Sequence, residues 1–158
     1  MAERLNFVYN HHAISVTDIE KSIEWYEKVF DGKVVSRDDN KPLQCLVAFV
    51  ECGGAMLELF EYYGEGKRPT PPERRESMED LRTGGTKHVC YETNLPRFFN
   101  EKVDVYNVDI DYGPGDRGNG DWFCFIKDPD GILYELFDIG GQTREPHAFD
   151  NRKIVTKE

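Results

Sequence analysis

The segment Gly54-Ala55-Met56-Leu57-Glu58-Leu59-Phe60 returns 77 residues later as Gly131-Ile132-Leu133-Tyr134-Glu135-Leu136-Phe137, with Gly, Glu, Leu and Phe at matching places. Such a repeat restricts the chain to two copies of one supersecondary unit that pack by the same rules. The same offset carries His11 onto His88. Each histidine therefore stands 47 residues before the glutamate of its own copy, Glu58 or Glu135. Any one such pair arises by chance, but two pairs at one interval inside a repeating frame seldom do.

Hydrophobic periodicity supplies the content of each copy. Residues 8–16 alternate and read as a strand. Thr17 with Glu20 forms a capping box, and Ile19, Ile23, Tyr26 and Phe30 then fall on one helical face. Asp31-Gly32 ends that helix, with Gly32 expected to take the left-handed cap conformation. Residues 33–36, 43–51 and 55–62 read as strands, with Gly53-Gly54 as the last turn. In the second copy residues 88–93, 105–110, 122–127 and 132–138 read as strands. A short helix capped by Asn94 runs through Phe98, Phe99 and Val103, and Asp128-Pro129-Asp130-Gly131 makes a turn. The expected fold is α+β, with two tandem βαβββ modules at 1–63 and 87–139. A solvated linker at 64–86 joins them, its charged cluster Arg74-Arg75-Glu76 to Asp80-Leu81-Arg82 included, and a polar tail follows at 140–158.

The formal charge of −10 disfavours nucleic acid and anionic membranes as partners. The first ten residues lack an apolar run of signal-peptide length, and no stretch approaches a membrane span, so the cytoplasm is the expected compartment. Cysteines at 45, 52, 90 and 124 show no C-x-x-C spacing and read as free, mostly buried thiols.

Alternate side chains of a strand share a face. His11 then shares its face with Ala13 and Ser15, Glu58 with Met56 and Phe60, and Glu135 with Leu133 and Phe137. A carboxylate on a small or apolar face is costly unless it is paired or bound to a cation. Pseudo-twofold pairing of the modules makes His11, Glu58, His88 and Glu135 an N2O2 set for one divalent ion: Ni, Zn, Co, Fe or Mn. An octahedral ion keeps two adjacent positions for a substrate with neighbouring oxygens. Taken singly, each of these residues reads more readily as a hydrogen-bonded histidine or a solvated glutamate. The equal intervals favour the metal.

At this point the chain resembles the vicinal oxygen chelate superfamily of glyoxalases, epimerases, extradiol dioxygenases and antibiotic-resistance proteins. The resemblance rests on residues 11–26, on Met56-Leu57-Glu58-Leu59, on Lys87-His88-Val89 and on residues 125–136, and it covers about 8–139. It implies a cupped mixed sheet around a metal, often in a homodimer, with all four ligand positions filled here and His12 structural. It also implies chelation of vicinal oxygens of a small molecule, followed by proton transfer through an enolate or enediolate. In this lyase or isomerase chemistry Glu58 or Glu135 leaves the ion to act as base. An Fe(II) extradiol dioxygenase ranks second, because four protein ligands leave no room for both a catecholate and oxygen. A non-catalytic antibiotic-binding protein ranks third.

Ser15, Met56, Phe60, Cys90, Arg117 and Phe137 are the candidate pocket residues. Cys90 reads as a buried inert thiol, and Arg117 reads first as a solvated side chain and second as a partner of an anionic substrate group. Gly113-Pro114-Gly115-Asp116-Arg117-Gly118 fits G-x-G-x-x-G but precedes a strand. It lacks the helix N-terminus that dinucleotide binding needs and reads as a flexible loop.

Overall fold

The structure, a computed structural model, describes residues 5, 7–145, 148 and 149. The chain forms two compact units, Met1–Lys67 and Arg68–Glu158, and each carries one open four-stranded mixed sheet. The α+β class and the duplicated strand–helix–three-strand order follow the sequence expectation.

In the first unit β1 (His11–Ser15) leads into α1 (Ile19–Val29), then β2 (Lys33–Asn40), β3 (Cys45–Cys52) and β4 (Ala55–Tyr62). The sheet order is β1-β4-β3-β2, with β1 parallel to β4 and the other pairs antiparallel. Alternation sorts the side chains. Ala48, Val50, Leu57 and Leu59 are buried on the helix side, as are Ile19, Ile23, Tyr26 and Val29 of α1, which packs on β3 and β4.

The ends of α1 differ from expectation by one residue each. Asp18, not Thr17, is the N-cap, and its carboxylate accepts from the Lys21 amide at 3.0 Å. Both residues favour that position, and the shorter strand β1 leaves Asp18 to take it. Glu20 is drawn away to Arg37 across the surface. At the other end Asp31, not Gly32, holds the left-handed conformation, at φ 52°. The amides of Phe30 and Gly32 both bond the Tyr26 carbonyl, which closes the helix. Gly32 is required for space: a Cβ there would lie 2.9 Å from both the Cys52 sulfur and the Tyr26 oxygen.

The second unit repeats the plan with β5 (Val89–Glu92), a helix, β6 (Asp109–Asp116), β7 (Trp122–Lys127) and β8 (Leu133–Asp138), ordered β5-β8-β7-β6. Its helix, α2, is not short. It opens as Leu95–Phe98, widens to π-type spacing over Phe99–Val103 and closes as Asp104–Tyr106. Asn94 caps it by accepting from the Arg97 amide at 2.8 Å. Val105 and Tyr106, expected in a strand, are therefore the exposed last turn, and Asn107 at φ 53° ends the helix. Gly113 to Asp116, expected as loop, belong to β6, whose pairing with β7 is interrupted by register shifts.

The repeat extends to hydrogen bonds that no local motif announces. The amides of Val16 and Thr93 bond the carbonyls of Phe60 and Phe137, each at 2.8 Å. The first helical amide of each unit, Ile19 or Leu95, donates to a carboxylate from the end of the last strand, Glu61 at 2.9 Å or Asp138 at 2.8 Å. Each of these carboxylates is paired in turn with a cation at the common offset, Lys67 or Arg144. Helix and terminal strand are thus tied together in both copies.

The charged cluster at 74–82 is not a solvated run. Ser77–Asp80 is a helical turn in the second unit, with Ser77 and Asp80 buried. Asp80 pairs with Arg74 at 2.7 Å. Asp111 accepts from the Ser77 amide and hydroxyl at 3.0 and 2.6 Å and pairs with Lys127 at 2.9 Å. Of the polar tail, Gly141–Arg144 is a further helical turn, and residues 146, 147 and 150–158 lie outside the described residues. Among the described residues no helix is long and apolar enough to cross a membrane.

Candidate metal centre

In the first unit strand register sets Ala13, Glu58, Phe49 and Ser36 side by side across the sheet, on the face away from α1. The next row of that face is Ser15, Phe60, Val47 and Asp38. His11 stands two residues before Ala13 on β1, so its side chain shares the Glu58 face and meets it diagonally. The Nε2 to Oε2 distance is 3.1 Å, with the side chains 36% and 16% exposed. The second unit builds the same corner: His88 Nε2 lies 3.1 Å from Glu135 Oε2, at 29% and 17% exposure. An aromatic edge braces each imidazole, Phe49 at 5.7 Å from His11 and Phe125 at 5.1 Å from His88. Phe49 and Phe125 are the cross-strand neighbours of the two glutamates. Sequence reading missed these rings, although strict alternation opposite each Glu would have found them.

The donor chemistry fits a cation. His11 Nδ1 lies 2.7 Å from the Asn10 amide oxygen, which only accepts, so Nδ1 donates there and Nε2 is the nitrogen turned to Glu58. Nε2 faces a carboxylate oxygen at 3.1 Å, an arrangement that needs a proton or a cation in common. An imidazole tied back through its other nitrogen is the usual support of a metal-binding histidine. Ligands about 2.1 Å from an ion and at right angles to each other stand ~3 Å apart, which both pairs match. Each unit contributes one such pair, and among the described residues no group of three or more His, Cys, Asp or Glu side chains gathers for a metal ion.

His12 serves a different role. Its Nδ1 bonds the Tyr9 hydroxyl at 3.0 Å, and burial, then the neighbouring His11, hold its pKa below the ordinary value.

The expected pocket residues separate by unit. Ser15, Met56 and Phe60 lie on the His11 and Glu58 face of the first sheet, where Phe60 lines a cavity of about 280 Å³ together with Ser36, Asp38, Asn40, Val47 and Glu58. Ser15 and Met56 do not line that cavity. In the second unit Cys90 is the strand neighbour of Glu135, and Arg117 lies 5.2 Å over the ring of Phe137. Cys90 is exposed rather than buried, because β5 is an edge strand. Its thiol is nevertheless pushed up to about 11, by partial burial and then by the Glu135 charge. The other three cysteines are buried.

Beside this corner the second face places Tyr112 and Phe123 where the first has Ser36 and Val47. Phe123 lies over Gly115, where a Cβ would come within 2.8 Å of the ring, and stacks on Tyr112 at 5.6 Å. The duplicated sheets thus keep the imidazole–carboxylate corner and diverge beside it.

The family model for the glyoxalase/bleomycin resistance protein/dioxygenase superfamily matches residues 8–136. Lactoylglutathione lyase GLX1 of Arabidopsis thaliana is 29% identical over 141 residues, covering 86% of this chain and 45% of that protein. The human mitochondrial methylmalonyl-CoA epimerase is 27% identical over 130 residues, covering 80% of this chain and 71% of that protein. The solved structure of glyoxalase I from Zea mays superposes with a TM-score of 0.63 at 22% identity, over 80% of this chain and 43% of that one, a likeness of fold. The chain spans less than half the length of the two plant proteins. On the family match across most of its length, the chain belongs to the glyoxalase/bleomycin resistance protein/dioxygenase superfamily.

Proposed function

We propose that the protein is an enzyme in which His11, Glu58, His88 and Glu135 hold one divalent cation and a carboxylate of this set moves a proton beside a carbonyl of a small substrate. The observation that carries this reading is the repetition of one imidazole–carboxylate pair at 3.1 Å in both sheets. The relatives named as a lyase and an epimerase support the reaction class. One pair from each unit completes the ligand set, within a chain or between two copies in a homodimer. When bound, the cation supplies the positive charge that neutralises the two carboxylates and polarises neighbouring substrate oxygens.

The protein groups do the rest. Asn10 holds the His11 tautomer, and Phe49 and Phe125 hold the ring planes. Glu58 borders the open cavity of its sheet, so a substrate carbon lying there is within its reach. It takes the proton from the carbon beside the carbonyl and returns it to give the isomer. Phe60 and Val47 line the same cavity and give the substrate an apolar surface beside the carboxylate.

The test is proton exchange in D2O with a panel of 2-hydroxyacyl and 2-oxo compounds, with and without Zn(II), Ni(II), Co(II), Mn(II) or Fe(II). Exchange at one carbon that requires the metal is expected; a panel with no metal-dependent exchange would overturn the assignment.

Ligation itself has a separate readout. His11→Ala is expected to weaken Zn(II) binding by more than about 100-fold, since outer partners of metal ligands alone are worth 10–100-fold. At a Zn(II) concentration 1,000 times Kd the wild-type protein gains about 4 kcal/mol, or roughly 8–16 °C in melting temperature. That rise should shrink to about 1.4 kcal/mol or less, roughly 3–6 °C, in His11→Ala and persist in full in His12→Ala. Equal metal affinity in the two variants would remove His11 from the set.

A further inference from the structure

We infer that the cavity beside Glu58 receives a protonated amine carried by the substrate, with Asp38 as its counter-charge; this deepens the proposed function and rests on it. The argument starts from the sheet. Ser36, Asp38 and Asn40 alternate along the edge strand β2 and line the cavity from one side, and Val47, Phe49, Phe60 and Glu58 line it from β3 and β4. Leu43, on the turn after β2, closes one end. The floor is therefore aromatic and aliphatic, and the wall is polar.

The charge on that wall has one sign. Among the described residues no Lys or Arg lines the cavity, and its two ionisable side chains are Asp38 and Glu58. Glu58 is committed to His11. The other side chains of β2 turn away: Arg37 pairs with Glu20, and Asp39 accepts from the Tyr63 hydroxyl at 2.9 Å, both away from this face. Asn40 uses its oxygen on the Leu43 amide. Asp38 is left with no hydrogen-bond or ion-pair partner among the described residues and directly opposes Val47 on the cavity face. A carboxylate that shares a cavity with two aromatic rings attracts a cation and repels phosphate and carboxylate. Substrates with anionic arms are disfavoured here, and an ammonium-bearing arm is favoured.

Three catechols with the same vicinal oxygens and arms of similar length provide the test: dopamine (cationic), 4-ethylcatechol (neutral) and 3,4-dihydroxyphenylacetate (anionic). Dissociation constants are measured by calorimetry on the Zn(II)-loaded protein, because Zn(II) does no redox chemistry with them. Dopamine is expected to bind at least tenfold more tightly than 3,4-dihydroxyphenylacetate. In Asp38→Asn that ratio should fall to within threefold, and in Asp38→Lys it should invert. Equal affinities for the three probes, or a ratio unchanged in Asp38→Asn, would overturn the amine assignment while leaving the chelating site intact. If none of the three binds better with Zn(II) than without it, the chelating site falls, and this inference falls with it.

Discussion

Glu58→Gln is expected to keep the fold and slow metal-dependent proton exchange about 10²–10⁴-fold, the usual worth of a positioned general base. The substitution separates two roles that the carboxylate combines. An amide oxygen can still approach a cation, so part of the metal affinity survives, but it cannot take a proton. The fold is insulated because Glu58 points off the sheet away from the helix-side core, where its neighbours Leu57 and Leu59 are buried. Glu135→Gln should cost less than Glu58→Gln, since Glu58 borders a cavity of its sheet while Tyr112 and Phe123 stack on the second face. Exchange rates of the two variants, each normalised to bound Zn(II), measure the difference. Comparable losses would show that both carboxylates act on the substrate; a greater loss in Glu135→Gln would move the base to the second unit.

What the sequence disclosed of this site follows from the kind of signal each part leaves. His11, Glu58, His88 and Glu135 lie on strands, where period-two alternation sets the face and the repeat confirms the frame. That each histidine shares a sheet face with the glutamate of its own unit is therefore legible in the sequence. Phe49 and Phe125 were recoverable by the same alternation once β3 and β7 were paired with their neighbours. The cavity wall was not legible, because β2 was read as ending at Ser36. Its second half, Arg37-Asp38-Asp39-Asn40, is too polar to resemble a strand, and an edge strand tolerates polar residues on both faces. That polarity is what leaves Asp38 facing the cavity.

The fold shows the same division. The ranges of β4 and β7 match the sequence reading because glycine or proline turns bracket a clean alternation. The end of α2 was misread because Val105 and Tyr106 favour strands by composition, while their position on the last helical turn depends on Phe98 and Phe99 being buried below. Asp18 and Asp31 were each displaced by one residue from the expected cap. Thr17 and Gly32 are equally good local choices, and only packing against Cys52 and Tyr26 separates the latter pair. Local propensity ranks such alternatives but does not decide them.

The charged segment 74–82 gives the largest stability prediction, because its partners are remote in sequence. Asp111 is fully buried, and one of its oxygens accepts both the amide and the hydroxyl of Ser77 while the other pairs with Lys127, which is 18% exposed. Removing one partner of a buried pair strands the other charge, at a cost of about 3–5 kcal/mol. Asp111→Ala should therefore lower the melting temperature by roughly 6–20 °C on the slope usual for a chain of this size. Asp111→Asn keeps an acceptor for Ser77 and should lose less. Ser77→Ala removes one hydrogen bond without stranding Lys127, at about 1 kcal/mol. Calorimetric melts of the three variants, with the Asp111→Ala and Ser77→Ala double variant closing a cycle, separate the hydrogen bonds from the ion pair. If Asp111→Ala melts within about 2 °C of wild type, the segment is not anchored through this carboxylate. If Ser77→Ala costs as much as Asp111→Ala, the hydroxyl rather than Lys127 carries the attachment of the helical turn to the sheet.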